Sequence, residues 1–233
     1  MKRTRIFAAA AAVLAALTLA SCQEFFTSSF ASWAERDASV PDNLSAAQAM
    51  SIADQAVANC DTDLAQALLP QMADFVNPPA TPTEELIEAA VDTAVLASGI
   101  GEAFGEALAT LGTDVIEGGG SLTPAQIDIL AALLDSVVIT ADSVAVFTYL
   151  VGQPVADMAA AGVTAADYVM AAVALLIFDV GDAATLSTLI DNDFAGYVAG
   201  PNDALISALI GDASAQWPSD PLLDAMSDLL DAL

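Results

Sequence analysis

Apolar residues recur every three or four positions along most of this chain, in long alanine- and leucine-rich stretches with acids spaced between them. No convincing run of strict alternation interrupts that pattern. It predicts helices over 46–59, 62–76, 82–98, 102–117, 124–139, 141–151, 154–161, 165–180, 183–191, 203–211 and 221–232. Breaks fall at Asn77-Pro78-Pro79, Gly99 to Gly101, Gly118 to Gly120, Gly152 to Pro154, Gly181 and Pro218 to Pro221. β-branched residues gather at Val137 to Thr140 and Val144 to Leu150, where a strand stays open as an alternative. The expected fold class is all-α, either a multi-helix bundle or an irregular array of helical hairpins.

Local hydrogen-bonding chemistry marks four of the helix starts. Ser45 with Gln48, Thr81 with Glu84, Thr123 with Gln126 and Thr164 with Asp167 each place a hydroxyl three residues before an acceptor side chain. Pro82 and Pro124 would then occupy the first helical position, where a missing amide hydrogen costs nothing. Leu122 with Ile127 and Val163 with Tyr168 have the spacing of hydrophobic staples. The four starts are separated by 36, 42 and 41 residues, room for a helix pair in each interval. The aromatic and glycine positions of the tetratricopeptide pattern are missing, so loosely repeated hairpins are expected rather than that motif.

The apolar stretch from Met158 to Phe178 is long enough to raise the question of a membrane span. Asp167 sits near its middle, where an acid costs roughly 3 kcal/mol to insert. The capping pair at Thr164 starts a helix inside the stretch, and the core from Tyr168 to Phe178 is too short to cross a bilayer. The reading is a central helix of a folded domain, buried on all sides.

The amino terminus follows other rules. Lys2, Arg3 and Arg5 precede an apolar run from Ile6 to Ala20, which ends in Leu19-Ala20-Ser21-Cys22. A basic head, about 15 apolar residues and a small-residue cleavage site describe a secretory signal rather than a membrane span, which needs roughly 20 residues. Leu19-Ala20-Ser21-Cys22 resembles the lipobox of bacterial lipoprotein precursors. The resemblance implies a diacylglyceryl thioether on Cys22, cleavage between Ser21 and Cys22, and acylation of the new amino terminus. Gln23 after the cysteine favours, by the same resemblance, the outer membrane or periplasmic face over the inner membrane. In general character the chain is also similar to helical-repeat periplasmic lipoproteins, including spirochaetal ones that work with transporters. The expected organisation is a signal peptide over 1–21, a lipidated tether over 22–43 and one helical domain over 44–233. On the tether Phe26, Phe30 and Trp33 share one helical face, which packs on the domain or lies on lipid.

Charge narrows the possible partners. Arg36 is the only basic residue beyond the leader and faces 31 acids, a net charge of −30. Nucleic-acid binding is excluded for want of cations to neutralise phosphate, and attraction to anionic headgroups is disfavoured. With 56% hydrophobic residues the chain is still able to bury a core. A salty habitat, widely spaced acids on wet helix faces, and an acidic docking surface for a basic protein partner all remain open as reasons for the charge.

Candidate chemistry is sparse. The chain has no histidine, which removes nucleophile relays, histidine metal sites and the usual proton shuttle near neutral pH. With Cys22 acylated, Cys60 is expected as an incidental thiol at a helix end, without an intrachain partner. The pairs Glu84 and Glu88, Glu102 and Glu106, and Asp224 and Asp228 are read as solvated or helix-capping acids rather than glycosidase carboxylates. Asp191 and Asp193 begin a loop resembling the start of an EF-hand, but Ala195 and Asn202 stand where ligands belong, so they are only weak calcium candidates. No cofactor is expected. The expected role is a membrane-anchored lipoprotein with a non-catalytic structural or protein-interaction function. The alternative is a ligand-binding or transporter-accessory module with an apolar cavity, and a carboxylate-based hydrolase comes last.

Overall fold

A computed structural model describes residues 40–77, 81–103, 136–181 and 197–218, together with 185, 189, 220, 223 and 227. The helices are α1 (Ala46–Asn59), α2 (Thr62–Val76), α3 (Glu84–Ser98), α4 (Ala141–Val151), α5 (Val155–Ala161), α6 (Ala165–Val180) and α7 (Asp203–Gln216). Among the described residues there is no strand, and the fold is all-α.

The first three helices form one packed unit. At the start of α1 the Ser45 amide donates to Gln48 Oε1 over 3.0 Å and the Gln48 amide donates back to Ser45 Oγ over 3.4 Å, a complete capping box. The buried stripe of α1 is Ala49, Ala53 and Ala56, small side chains that let α1 pack closely on α2 and α3, with Met50 and Ile52 partly buried beside them. Cys60 then takes the left-handed conformation at φ 51°, and the Asp61 amide reaches back to the Ala56 carbonyl. Asp61 caps α2 in turn, accepting from the Leu64 amide at 3.0 Å. Gln71 of α2 holds the incoming chain, accepting from the Leu44 amide and donating to the Pro41 carbonyl over 2.7 Å. The entry from the tether is therefore fastened to α2 rather than left to swing.

α3 is the shared wall of the molecule, packed against α1, α2, α4, α5 and α6. Its start differs from the sequence expectation. Thr83, not Thr81, is the cap, accepting from the Leu86 amide, and Pro82 lies outside the helix. Glu84 and Glu85 then fall in the first turn, where the helix dipole favours acids, and Leu86, Ile87, Ala90 and Val91 turn inward. Helix resumes at Ile100 after Gly99, whose φ of 70° reverses the chain.

The second half is built on α6. The Thr164 amide and hydroxyl both donate to Asp167 Oδ2, over 2.8 and 2.7 Å, completing the expected box with aspartate in the glutamate position. Val163 and Tyr168 at the staple positions are both buried. Met170, Ala171, Ala172, Ala174, Leu175, Leu176 and Ile177 are buried, so most of α6 is enclosed; the expectation of burial on all sides fails at Val173, which is partly exposed, and at Phe178, which is exposed. No single helix among the described residues is long and apolar enough to cross a membrane; α4 and α5 reach that hydropathy only as a pair bent by 115°.

α7 packs along α6 with the stripe Ile206, Leu209, Ile210 and Ala213. It runs through Gly211 to Gln216, beyond the predicted end at 211, because Ala213 continues the buried stripe. Its cap comes from another helix. Asp179 near the end of α6 accepts from the Asn202 amide at 2.8 Å and from the Asn202 side chain at 2.6 Å, while Asn202 makes no side-chain cap bond of its own. At the other end Trp217 meets the Tyr168 ring edge-on, 5.7 Å between centroids.

Two further boundaries move. The helix predicted over 124–139 does not reach its expected end, since residues 137–140 are not helical and the Val138 amide bonds the Ser98 carbonyl. The β-branched run from Val144 to Leu150 is helical, because Val146, Phe147 and Leu150 share the buried face of α4. Pro154 sits just before α5 rather than within it. The starts expected at Thr123 and Pro124 lie outside the described residues.

Candidate functional site

Cys22, the residue expected to carry lipid, lies outside the described residues, as do Asp191, Asp193, Glu106, Asp224 and Asp228. Glu84 is exposed on the first turn of α3, and Glu102 lines a pocket near its far end.

Cys60 corrects an expectation. It is disulfide-bonded, not the incidental thiol that the sequence suggested. The chain contains one other cysteine, Cys22, and the expectation had removed Cys22 as a partner by assigning it a lipid. One sulfur cannot form both a thioether and a disulfide. A chain lipidated at Cys22 and a chain with an intrachain disulfide at Cys60 are therefore mutually exclusive forms.

The pocket holds about 250 Å³ and is lined by Thr62, Gln66, Ser98, Glu102 and Ser136 among others. Two of its polar side chains, Gln66 and Ser98, are occupied within the fold. The Gln66 side chain donates to the Ala97 carbonyl over 3.0 Å, and the Ser98 hydroxyl donates to the Val95 carbonyl while accepting from the Ile100 amide. Such a small polar recess differs from the mostly apolar cavities of roughly 300 Å³ or more that enclose a lipid-like ligand.

The structure does bring together acids that the sequence reading did not connect. Glu88 and Asp92 stand one turn apart on α3, with Asp167 opposite on α6 and Asp54 on α1. Burial, then Asp167, Glu88 and Asp54, push the Asp92 carboxyl up to about 7. Glu88 is raised chiefly by burial and secondarily by Asp167, Asp54 and Glu85. Asp167 is raised by burial, against the opposing pull of its two bonds from Thr164. Only one pair in this group, Glu88 and Asp92, is visible as an i, i+4 spacing. Asp92 also stands directly beside the inward-facing Val91 and Thr93, the sequence signal for partial burial.

No described residue can neutralise these acids, because the basic residues of the chain are Lys2, Arg3, Arg5 and Arg36. Among the described residues no three His, Cys, Asp or Glu side chains are grouped so as to hold a metal ion. Elsewhere the Tyr168 hydroxyl is buried without a hydrogen-bond partner, and burial pushes it up to about 12. Tyr197 donates to Asp203 over 2.5 Å and is likewise raised to about 12, first by burial and then by that bond. Compared with models of known families, with curated proteins and with solved structures, the chain matches none.

Proposed function

We propose that the protein, in the form whose Cys22 carries lipid in place of a disulfide to Cys60, is a lipoprotein of the bacterial cell envelope, held to a membrane through that lipid, with a helical domain serving a non-catalytic structural or protein-interaction role. The observation that carries this reading is the leader, in which three basic residues, an apolar run and Leu19-Ala20-Ser21-Cys22 follow one another in the order that export and lipidation require. Each acyl methylene contributes about 0.8 kcal/mol of membrane affinity, so two or three chains hold a protein where one does not. Fastening of residues 41 and 44 to Gln71 supports a short lead from anchor to domain.

A non-catalytic role is supported by the lack of histidine and by a pocket in which the Gln66 and Ser98 side chains are already bonded to backbone carbonyls. The net charge of −30 beyond the leader disfavours a peripheral hold on anionic lipid and makes a covalent anchor the means of attachment. A protein partner would be one that tolerates or complements an acidic surface, binding more weakly as salt rises.

The test is membrane partition of Cys22→Ser beside the unaltered chain. The unaltered protein is expected in the membrane fraction after a high-salt wash, and Cys22→Ser either in the soluble fraction or retained as uncut precursor. Processed Cys22→Ser that stays in the washed membranes would refute the anchor.

A further inference from the structure

We propose that the contact between α3 and the α5–α6 corner is an acid-tightened joint, closed when Asp92 and Glu88 hold protons beside Asp167 and loosened when all three are ionised.

The geometry begins at Gly162, the turn between α5 and α6. Its φ of 122° suits glycine, and a methyl group added there would collide with Glu88 Oε1. The Glu88 carboxyl is thus laid directly on the corner that orients α6 against α3. One turn along α3, Asp92 is half-buried in the same seam. Asp167, whose charge acts on both, is held by its two hydrogen bonds from Thr164, two residues beyond Gly162.

The charges acting on Asp92 are Asp167 from α6, Glu88 from α3 itself and Asp54 from α1. Those acting on Glu88 are Asp167, Asp54 and Glu85. Asp63 and Asp74 on α2, Asp142 on α4 and Asp157 on α5 are not among these charges. Every contributing charge is negative, and no described cation offsets them. The remaining sources of relief are protons, mobile ions and separation of the helices. A coordinated metal is disfavoured by the lack of a suitable group of three ligands among the described residues.

The sign follows from linkage. The Asp92 carboxyl goes from an ordinary 3.8 to about 7 in the folded chain, so between those values the folded state binds more protons than the unfolded one. Stability from this group is full below about 4 and is lost as pH rises through about 7. The direction is opposite to that of a carboxylate held by a cation. Because α3 meets α5 and α6 at this seam, the proton at Asp92 bears on how firmly those two helices are held to α3.

The experiment is a thermal melt of the full chain, followed by circular dichroism at fixed ionic strength at pH 7.5 and pH 5.5. Acidification is expected to raise Tm by about 3–8 °C, and amides of 155–170 are expected to exchange more slowly once intrinsic rates are corrected. Asp92→Asn should raise Tm at pH 7.5 and remove at least about half of the pH response. Glu88→Gln should act in the same direction and decides the matter if Asp92→Asn does not fold. Asp63→Asn, an exposed acid on α2, should leave the response intact. A Tm that does not rise on acidification, a response preserved in Glu88→Gln and in any folded Asp92→Asn, or an equal loss in Asp63→Asn would overturn the joint. So would a saturable gain with CaCl₂ at pH 7.5 that abolishes the pH response.

Discussion

Leu175→Ala is expected to destabilise the domain by about 2–5 kcal/mol, lowering Tm by roughly 5–15 °C. Leu175 is 0% exposed on a helix whose neighbouring positions are themselves buried, so the surrounding side chains have little freedom to collapse into the space left behind. Phe178, three residues on, is 43% exposed. Phe178→Ala should cost no more than about 0.5–1 kcal/mol although it removes more carbon. Thermal melts of the two variants check this directly. Equal losses would mean that α6 is not the enclosed centre of the fold, and a larger loss at Phe178 would indicate a partner resting on the outer face.

Asp179→Ala is the second large effect, about 2–3 kcal/mol. It strips two hydrogen bonds from Asn202, which is only 7% exposed, and leaves the entry to α7 without its cap. The sign is informative in so acidic a protein. If general repulsion set the stability, deleting any acid would help; if specific bonds outweigh repulsion here, deleting Asp179 hurts. Asp212→Asn, on an exposed position of α7, supplies the comparison and should be neutral or mildly stabilising. A melt showing Asp179→Ala to be as benign as Asp212→Asn would remove the interhelix cap from the account of α7.

The parts of the fold legible in the sequence are those settled within one helical turn. Ser45 with Gln48 and Thr164 with Asp167 close their bonds over three residues, and both boxes form as the spacing implies. The start expected at Thr81 falls instead at Thr83, which puts Glu84 and Glu85 in the first turn while Leu86 and Ile87 face inward. The helix expected over 203–211 runs on to Gln216, because the roughly 1 kcal/mol cost of an exposed glycine at Gly211 is outweighed by the stripe from Ile206 to Ala213. Asp179 and the acids around Asp92 were not legible, since their partners are brought in by different helices. The disulfide at Cys60 was missed for another reason, because the lipid assigned to Cys22 had already consumed the only possible intrachain partner.

That competition for Cys22 also supplies the decisive measurement. Membrane-extracted protein is digested, and the peptide containing residue 22 is weighed by mass spectrometry before and after reduction. The anchor reading predicts a chain beginning at Cys22, its sulfur carrying diacylglycerol and its amine an acyl group, with a mass unaltered by reduction. A peptide continuing back through Ser21, or a lipid-free Cys22 joined to the Cys60 peptide until reductant is added, would contradict it.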